Sequence, residues 1–216
     1  MIFYINVDGN FTRNTRLVVG GHTTYPLASI KYSIVVSRDV LCIAFMVSAL
    51  NYIDLYTDNI GNTSLNAPFR ENICTVAGPE FGSDGGIPIL IARALCGLRI
   101  GGATWRSMFP DILSKDGLGY TASKSDKDVR IKREVFPNGK TYYLMILFYS
   151  YDILVVSKDT FAAINCLAKI FILKEASMGP PNRYPGSNID KVQTANGSTM
   201  WETHSVDYCK HVIANL

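Results

Sequence analysis

The stretch that decides the fold is TYYLMILFYSYDILVVSKD, from Thr141 to Asp159. An apolar run of strand-forming residues reaches Tyr149, a single acid, Asp152, follows in a tight kink, and a second apolar run covers Ile153 to Val156. Short apolar runs of β-branched and aromatic residues that are bounded by turn signals are typical of buried strands. The pattern therefore predicts two buried strands with a carboxylate at the turn between them.

The composition is that of a soluble globular chain with a substantial core. Of the 216 residues, 48% are hydrophobic and 18% are charged, which is enough for one large domain or two small ones. The net charge of +3 permits contact with nucleic acid but does not argue for it. The five cysteines are scattered and form no CxxC pair, which favours reduced structural thiols. No secretory signal is visible and the longest apolar run is too short to span a bilayer, so we expect a soluble intracellular protein without a membrane partner.

The residues around the opening stretch predict a meander with flanking helices. Pro137-Asn138-Gly139 is a hairpin signal that joins a strand at Asp128–Val135 to the strand at Thr141–Tyr149. A helix is predicted over Asp39–Tyr52, with a core face formed by Val40, Ile43, Ala44, Val47 and Leu50. Another helix is predicted from Thr160 to about Ile172, with apolar positions at Phe161, Ile164, Leu167, Ala168 and Phe171. Antiparallel strands with the helices segregated to one face define an α+β fold class.

Shorter elements are predicted on both sides of this central region. The strands fall at Ile2–Val7, Thr15–Val19, Ile53–Asn59, Cys74–Ala77, Pro88–Arg93, Ile189–Gln193 and Ser198–Thr203, and a last helix covers Val206–Asn215. Arg13 and Arg16 flank the second strand, where basic residues can touch a phosphate backbone, although a solvated strand face is an equally good interpretation.

Several strings in this chain resemble the reverse transcriptase domain of copia-type retrotransposon polyproteins. They occur in the order of that family, with similar spacing, across almost the whole chain. The matching strings are RLVVGGHTT (16–24), VVSRD (35–39), LNAP (65–68), VAGPEFG (76–82), RALCGLRIGGATWR (93–106), YDILVVSKD (151–159) and PPNRYPG (180–186).

The resemblance implies a right-hand polymerase built around an antiparallel palm sheet with helices on one face. Residues 1–30 would belong to the fingers, 31–175 to the palm with finger elements, and 176–216 to the primer-grip hairpin and the start of the thumb. Tyr184 and Gly186 would lie in the hairpin that holds the primer end. The implied partner is an RNA or DNA template-primer, the implied location is a cytoplasmic retrotransposon particle, and the protease, integrase and ribonuclease H segments of the polyprotein are expected to be absent.

The chemistry implied by the resemblance is two-metal phosphoryl transfer. Two Mg²⁺ ions activate the primer hydroxyl and hold the triphosphate, and they need clustered carboxylates as hard oxygen ligands. The family supplies one Asp at the end of the first palm strand and an Asp pair in a Tyr-x-Asp-Asp turn. In this chain Asn59 and Tyr151 stand at two of those positions, and Asp152 is the one metal-binding acid retained. Asp58 is one residue early, which on a strand without a bulge directs it to the opposite face.

Further positions depart from the family in the same direction. Ser64 stands where a bulky aromatic usually rejects the ribose 2′-hydroxyl, and Arg99 is a candidate nucleotide-binding residue. Four interpretations remain open: a degenerate reverse transcriptase domain, a residual polymerase that uses Asp58 and Asp152, a nucleic-acid-binding protein, and a relic without a role. The third would use Arg13, Arg16, Arg99 and Arg106.

Overall fold

The computed structural model describes residues 2–7, 13–18, 36–66, 72–95, 98, 105, 113–114, 118–174, 177–184 and 187–215. Helices and antiparallel sheets occur together in one α+β architecture. The chain divides into two compact units, one made of residues 1–33 and 62–111 and the other of residues 34–61 and 112–216.

Most of the described strands span six residues or fewer. The strands are β1 (Ile2–Val7), β2 (Arg13–Val18), β3 (Asp54–Asn59), β4 (Cys74–Val76), β5 (Pro88–Leu90), β6 (Thr121–Ala122), β7 (Val129–Val135), β8 (Thr141–Tyr149), β9 (Asp152–Ser157), β10 (Asn188–Gln193) and β11 (Thr199–His204). The α-helices are α1 (Arg38–Asn51), α2 (Thr63–Asn66), α3 (Thr160–Ala168) and α4 (Val206–Ala214), and a 3₁₀ segment covers Pro79–Asp84. The predicted strands at both ends and in the centre are confirmed, with bounds that differ by a few residues at most.

The first unit contains two short antiparallel ribbons. In one, β1 pairs with β2 and Ile2 lies opposite Val18. In the other, β4 pairs with β5 and Cys74 lies opposite Leu90, with the 3₁₀ segment between the two strands.

The second unit is built on an antiparallel sheet in which the described strands lie in the order β3–β9–β8–β7–β6. The two central strands come from the stretch Thr141–Asp159, and their pairing places Tyr149 opposite Asp152. Residues 144–148 of β8 and 153–157 of β9 are all buried. A strand that is buried on both faces needs a cover on each face.

Helices cover both faces of this sheet, which corrects the prediction that they lie on one. Helix α1 shares a core with Leu55, Leu147 and Val156 on one face. Helix α3 packs against β9 and β3 on the opposite face, where the ring of Phe161 lies 5.3 Å from that of Tyr56. Consecutive residues of a strand point to opposite faces, so Leu55 and Tyr56 mark the two sides. Helices lie on both faces because β8 and β9 are continuously apolar, so each face of these strands must be covered by a helix to be shielded from water.

The buried face of α1 agrees with the predicted one in part: Ala44 is buried, and Val40 and Val47 pack against the core. Leu41, Ala44, Phe45 and Ser48 are buried, whereas the two predicted core residues Ile43 and Leu50 are 47% and 68% exposed. Ser48 belongs to the core because its hydroxyl donates to the Ile53 carbonyl oxygen. A polar residue at a core position broke the apolar periodicity on which the prediction rested. Ser37 caps the start of α1, since the Val40 amide donates to its Oγ at 3.3 Å.

Helix α3 begins where predicted and ends earlier, at Ala168. Its first turn is capped by Asp159, whose Oδ1 accepts from the Ala162 amide at 2.8 Å. Phe161, predicted as a core position, is 51% exposed, while Phe171 is buried beyond the end of the helix. The helix is therefore shorter than its apolar pattern indicated, because Phe171 reaches the core from the following turn.

Candidate functional site

The sequence candidates for catalysis meet at one end of the central sheet. Asn59 is the last residue of β3 and lies opposite Asp152, the first residue of β9. Asp152 in turn lies opposite Tyr149, the last residue of β8. Directly opposed residues of antiparallel strands lie on the same face with their Cβ atoms roughly 5 Å apart. The sheet therefore brings Asn59 and Asp152 into direct contact, although 92 residues separate them in the sequence.

The β8–β9 turn consists of Ser150 and Tyr151. Ser150 has a positive φ of 60°, which is uncommon for a residue other than glycine and is the conformation that two-residue hairpin turns require at their first position. Tyr151 projects at the tip with 52% of its surface exposed. The Tyr151 carbonyl oxygen accepts from the Ile60 amide at 2.8 Å, so the backbone of the turn is fastened to the end of β3.

An amide–carboxylate hydrogen bond closes the site. The surrounding acceptors orient the Asn59 amide with its nitrogen toward Asp152 Oδ1, to which it donates, and toward the Asp58 carbonyl oxygen at 3.2 Å. Partial burial raises the pKa of the Asp152 carboxyl above its ordinary value, and the positive charge of Lys174 opposes part of that rise. Like the charge of Lys174, the Asn59 amide favours the charged form of Asp152, because its N–H donates to the carboxylate. Asp152 is thus a half-buried carboxylate that a neutral neighbour satisfies.

Asp58 lies on the other face of β3. The register from Asp54 to Asn59 runs without a bulge, and Asp58 is opposite Ile153. Its side chain is only 3% exposed and accepts from the Ser177 hydroxyl and, at 2.7 Å, from the Asn59 amide of the backbone. Asp58 is therefore engaged in a buried contact of its own, separate from the face that carries Asp152.

Two residues of the segment that follows α3 belong to this site, and the sequence did not point to them. The Lys174 amide donates to the Asn59 carbonyl oxygen at 2.8 Å, and its side chain supplies the positive charge near Asp152. Ser177 supplies the hydroxyl that holds Asp58. Neither residue stands in a motif, and both reach β3 through pairing between segments more than 100 residues apart. No local sequence signal could have identified them.

Tyr184, predicted to contact the primer end, is a core residue. It is 2% exposed, its hydroxyl donates to the Leu147 carbonyl oxygen at 3.1 Å, and its ring lies edge-on to that of Tyr149 with centroids 6.3 Å apart. Burial raises the pKa of Tyr184 well above its ordinary value, and the nearby charge of Asp152 adds to the effect. Tyr184 therefore packs against Tyr149 next to the β8–β9 turn, and its buried side chain is not accessible to a nucleic acid.

The remaining predicted residues belong to the first unit or lie outside the described part of the chain. Arg13 and Arg16 belong to β2, opposite Val7 and Tyr4, and Ser64 belongs to α2, all of them in the first unit. The predictions for three further residues, Arg99, Arg106 and Gly186, lie outside the described residues.

The donors at the site do not fit a pair of magnesium ions. Magnesium takes oxygen ligands in octahedral geometry, and a two-metal centre needs several carboxylates on one side. Of the two residues that pair here, Asp152 carries a carboxylate and Asn59 does not: the Asn59 group directed at Asp152 is an N–H donor. Tyr151 contributes a neutral phenol at the adjacent position. We therefore derive no chemical step through such ions.

No family model, no curated protein and no solved structure matches the chain. Within the described residues, none of the helices has the length and apolar character that crossing a membrane requires.

Proposed function

We propose that this chain is a reverse transcriptase domain of copia-type descent whose two-metal chemistry has been lost. In this proposal β3, β8 and β9 are the palm strands, and the partner of the ancestral domain is an RNA or DNA template-primer in a cytoplasmic retrotransposon particle. What supports the proposal is the resemblance of the sequence strings, together with an antiparallel sheet that brings residues 59 and 152 to one point.

The single observation that carries the loss of activity is the pairing of Asn59 with Asp152, in which the amide orientation that suits the surrounding acceptors donates to the carboxylate. At that position a second carboxylate would share a cation with Asp152. An amide donor satisfies the carboxylate without a cation. Two divalent ions beside one carboxylate and a phenol would be held weakly, because each added carboxylate contributes both a ligand and a compensating charge.

Primer extension on an RNA template, with Mg²⁺ or Mn²⁺, tests the proposal. We expect no extension by the wild-type chain. The matched variant is the double substitution Asn59→Asp and Tyr151→Asp, which puts carboxylates at both positions on the same scaffold. Divalent-ion binding, measured by calorimetry, is expected in the double variant and not in the wild type. Robust incorporation by the wild type would refute the loss of activity.

The alternative of a residual polymerase that uses Asp58 and Asp152 makes an opposite prediction. If it holds, Asp58→Ala abolishes extension, and an unaffected variant rejects it. The bulge-free register speaks against this alternative, since Asp58 and Asp152 lie on opposite faces of the sheet. Because Asp58 also holds Ser177, the Ser177→Ala variant serves as the control that breaks the same buried contact and keeps the carboxylate.

A further inference from the structure

An open apolar groove runs between α1 and β11 in the second unit. Trp201 and Thr203, which point to the same side of β11, form one wall. The other wall is one face of α1, with residues at helical spacing that include Cys42, Phe45, Met46 and Leu50. The groove has a volume of about 320 Å³, and Met46 and Leu50 remain exposed at its rim. Apolar surface that is left open in this way is typical of an interaction site.

Helix α4 carries a second apolar surface. Its apolar residues recur at the spacing of one helix face and form a stripe made of Val206, Cys209, Val212 and Ile213. No residue of α4 is buried, and Ile213 is 70% exposed. A helix of nine residues is only marginally stable in water, because most helical stability in proteins comes from the packing of an apolar face. The stripe of α4 therefore requires a partner.

The first turn of α4 is fastened to the side of the β10–β11 ribbon that faces away from the groove. The Asn188 side chain donates to the Asp207 carboxylate, and the Val206 amide donates to His204 Nδ1 at 3.4 Å. Asn188 and His204 are directly opposite each other in the ribbon, so they lie on one face. Because consecutive residues alternate along a strand, that face is opposite the one on which β11 lines the groove. While these bonds hold, α4 cannot enter the groove of its own chain.

The charges beside the two apolar surfaces are complementary. Asp39 lies two helical turns before Met46 on the same side of α1, and Lys210 borders the stripe of α4. Both side chains are exposed, and within the described part of the chain neither belongs to an ion pair. Opposite charges at the edges of two surfaces favour their association and suppress other partners.

We propose that α4 of one copy of this chain docks in the groove of a second copy, and that the exchange is reciprocal. The two surfaces match in length: residues 42–50 of α1 span about 12 Å and residues 206–213 of α4 about 10 Å. Apolar anchors at helical spacing are the usual means by which a helix binds a groove. A two-fold dimer uses this contact twice and covers both apolar surfaces of each copy. The inference makes no use of Asn59 or Asp152 and is independent of the proposed function.

Sedimentation equilibrium of the full chain over a range of micromolar concentrations tests the dimer. We expect a monomer–dimer equilibrium in the wild type. Met46→Glu and Ile213→Glu each put an unpaired charge into one of the two apolar surfaces, and each should raise the dimer Kd by more than about tenfold. Val135→Glu and Ala214→Glu are matched controls at exposed positions outside the groove and the stripe, and they should leave the Kd unchanged. Circular dichroism confirms that each variant is folded.

A mixing experiment shows whether the groove and the stripe bind each other. The Met46→Glu chain keeps its α4 stripe, and the Ile213→Glu chain keeps its groove. Each should be monomeric alone, and an equimolar mixture should form a dimer through the one contact that remains intact. A mixture that stays monomeric would overturn the proposal, and so would a wild type that is monomeric at its highest soluble concentration.

Disulfide formation identifies the surfaces that meet. Cys42 lines the groove and Cys209 belongs to the stripe, and both are free and exposed. Oxidation by diamide, which takes up the two thiol hydrogens, should link Cys42 of one copy to Cys209 of the other and give a covalent dimer on a non-reducing gel. Cys42→Ser or Cys209→Ser should abolish this dimer, whereas Cys74→Ser should not. Peptide mapping that finds the copies joined through any other pair of cysteines would contradict the docking.

Discussion

The substitution Asn59→Asp probes the closure of the candidate site most directly. It exchanges the amide that donates to Asp152 for a second carboxylate in the same place. The hydrogen bond it removes involves a charged acceptor, and such bonds contribute about 1.5–3 kcal/mol. Repulsion replaces it: two like charges about 4 Å apart interact by about 4 kcal/mol at an effective dielectric constant of 20. Solvent and the charge of Lys174 reduce that repulsion, and we expect a net destabilisation of about 3 kcal/mol at pH 7.

The effect has a defined pH dependence. When two carboxylates share a site, the pKa of one of them rises in the folded state above its value in the unfolded chain. A group with a raised folded-state pKa contributes stability that is fully present below the unfolded pKa and is lost as the pH rises through the folded pKa. The variant is therefore expected to approach the wild type near pH 4 and to fall progressively behind it toward pH 7.

Urea unfolding followed by circular dichroism, at several pH values between about 4 and 7, measures this difference. Asn59→Ala is the control: it removes the hydrogen bond without adding a charge, so it should cost about 1.5–3 kcal/mol at pH 7. Because the bond favours the charged form of Asp152, this loss should shrink as the pH falls and Asp152 is protonated. Addition of about 10 mM Mg²⁺ should recover roughly 1.4 kcal/mol in Asn59→Asp if the ion binds with a dissociation constant near 1 mM. A variant as stable as wild type at pH 7 would refute the inferred contact between residues 59 and 152.

Three further predictions concern the scaffold around the site. Tyr184→Phe removes the hydrogen bond to the Leu147 carbonyl oxygen and should cost about 1 kcal/mol at pH 7. The pKa of Tyr184 is raised in the folded state, so the stability that Tyr184 contributes is lost as the pH rises above about 10. In urea unfolding at alkaline pH, the variant should therefore lose less stability than the wild type. Tyr52→Gly should raise the free energy of unfolding by about 1 kcal/mol, since Tyr52 ends α1 in the left-handed conformation with its side chain 90% exposed; a calorimetric melt that shows no gain contradicts this. Leu41→Ala should destabilise by about 2–5 kcal/mol and Leu50→Ala by less than about 0.5 kcal/mol, and equal effects in urea unfolding would contradict the assigned face of α1.

The central strands and their turn could be predicted because the signals for them are local. The run from Thr141 to Tyr149 becomes β8 with the predicted bounds, since Pro137-Asn138-Gly139 fixes where the hairpin begins and an uninterrupted apolar run fixes how far it extends. The opposite faces of residues 58 and 59 also followed from strand alternation alone, given a register without a bulge.

The placement of the helices could not be read in the same way. The face of α1 depends on the bond from Ser48 to the Ile53 carbonyl, which lies beyond the end of the helix and makes a serine a core residue. The covering of both sheet faces was implicit in the apolar run of β8 and β9. Alternating apolar and polar residues would have indicated one solvent-exposed face, and the buried runs of these strands show no such alternation. The contacts of Asp58 and Asn59 with Ser177 and Lys174 arise from tertiary pairing with an irregular segment, on which propensity has no bearing.

The residues at positions 59 and 151 are physically consistent with each other. Carboxylates that converge at the end of three strands repel one another unless a cation binds between them, so a site of that kind is stable only with its metal. An amide at position 59 replaces the repulsion by a hydrogen bond to Asp152, and a phenol at position 151 adds no charge. Each exchange lowers the dependence of the fold on a cation and, in the same step, removes a ligand that catalysis would need. If the chain descends from a polymerase, the same substitutions therefore stabilise the fold without metal and remove the activity. The Asn59→Asp variant should shift both properties back: it should be less stable without a cation and should bind a cation more tightly.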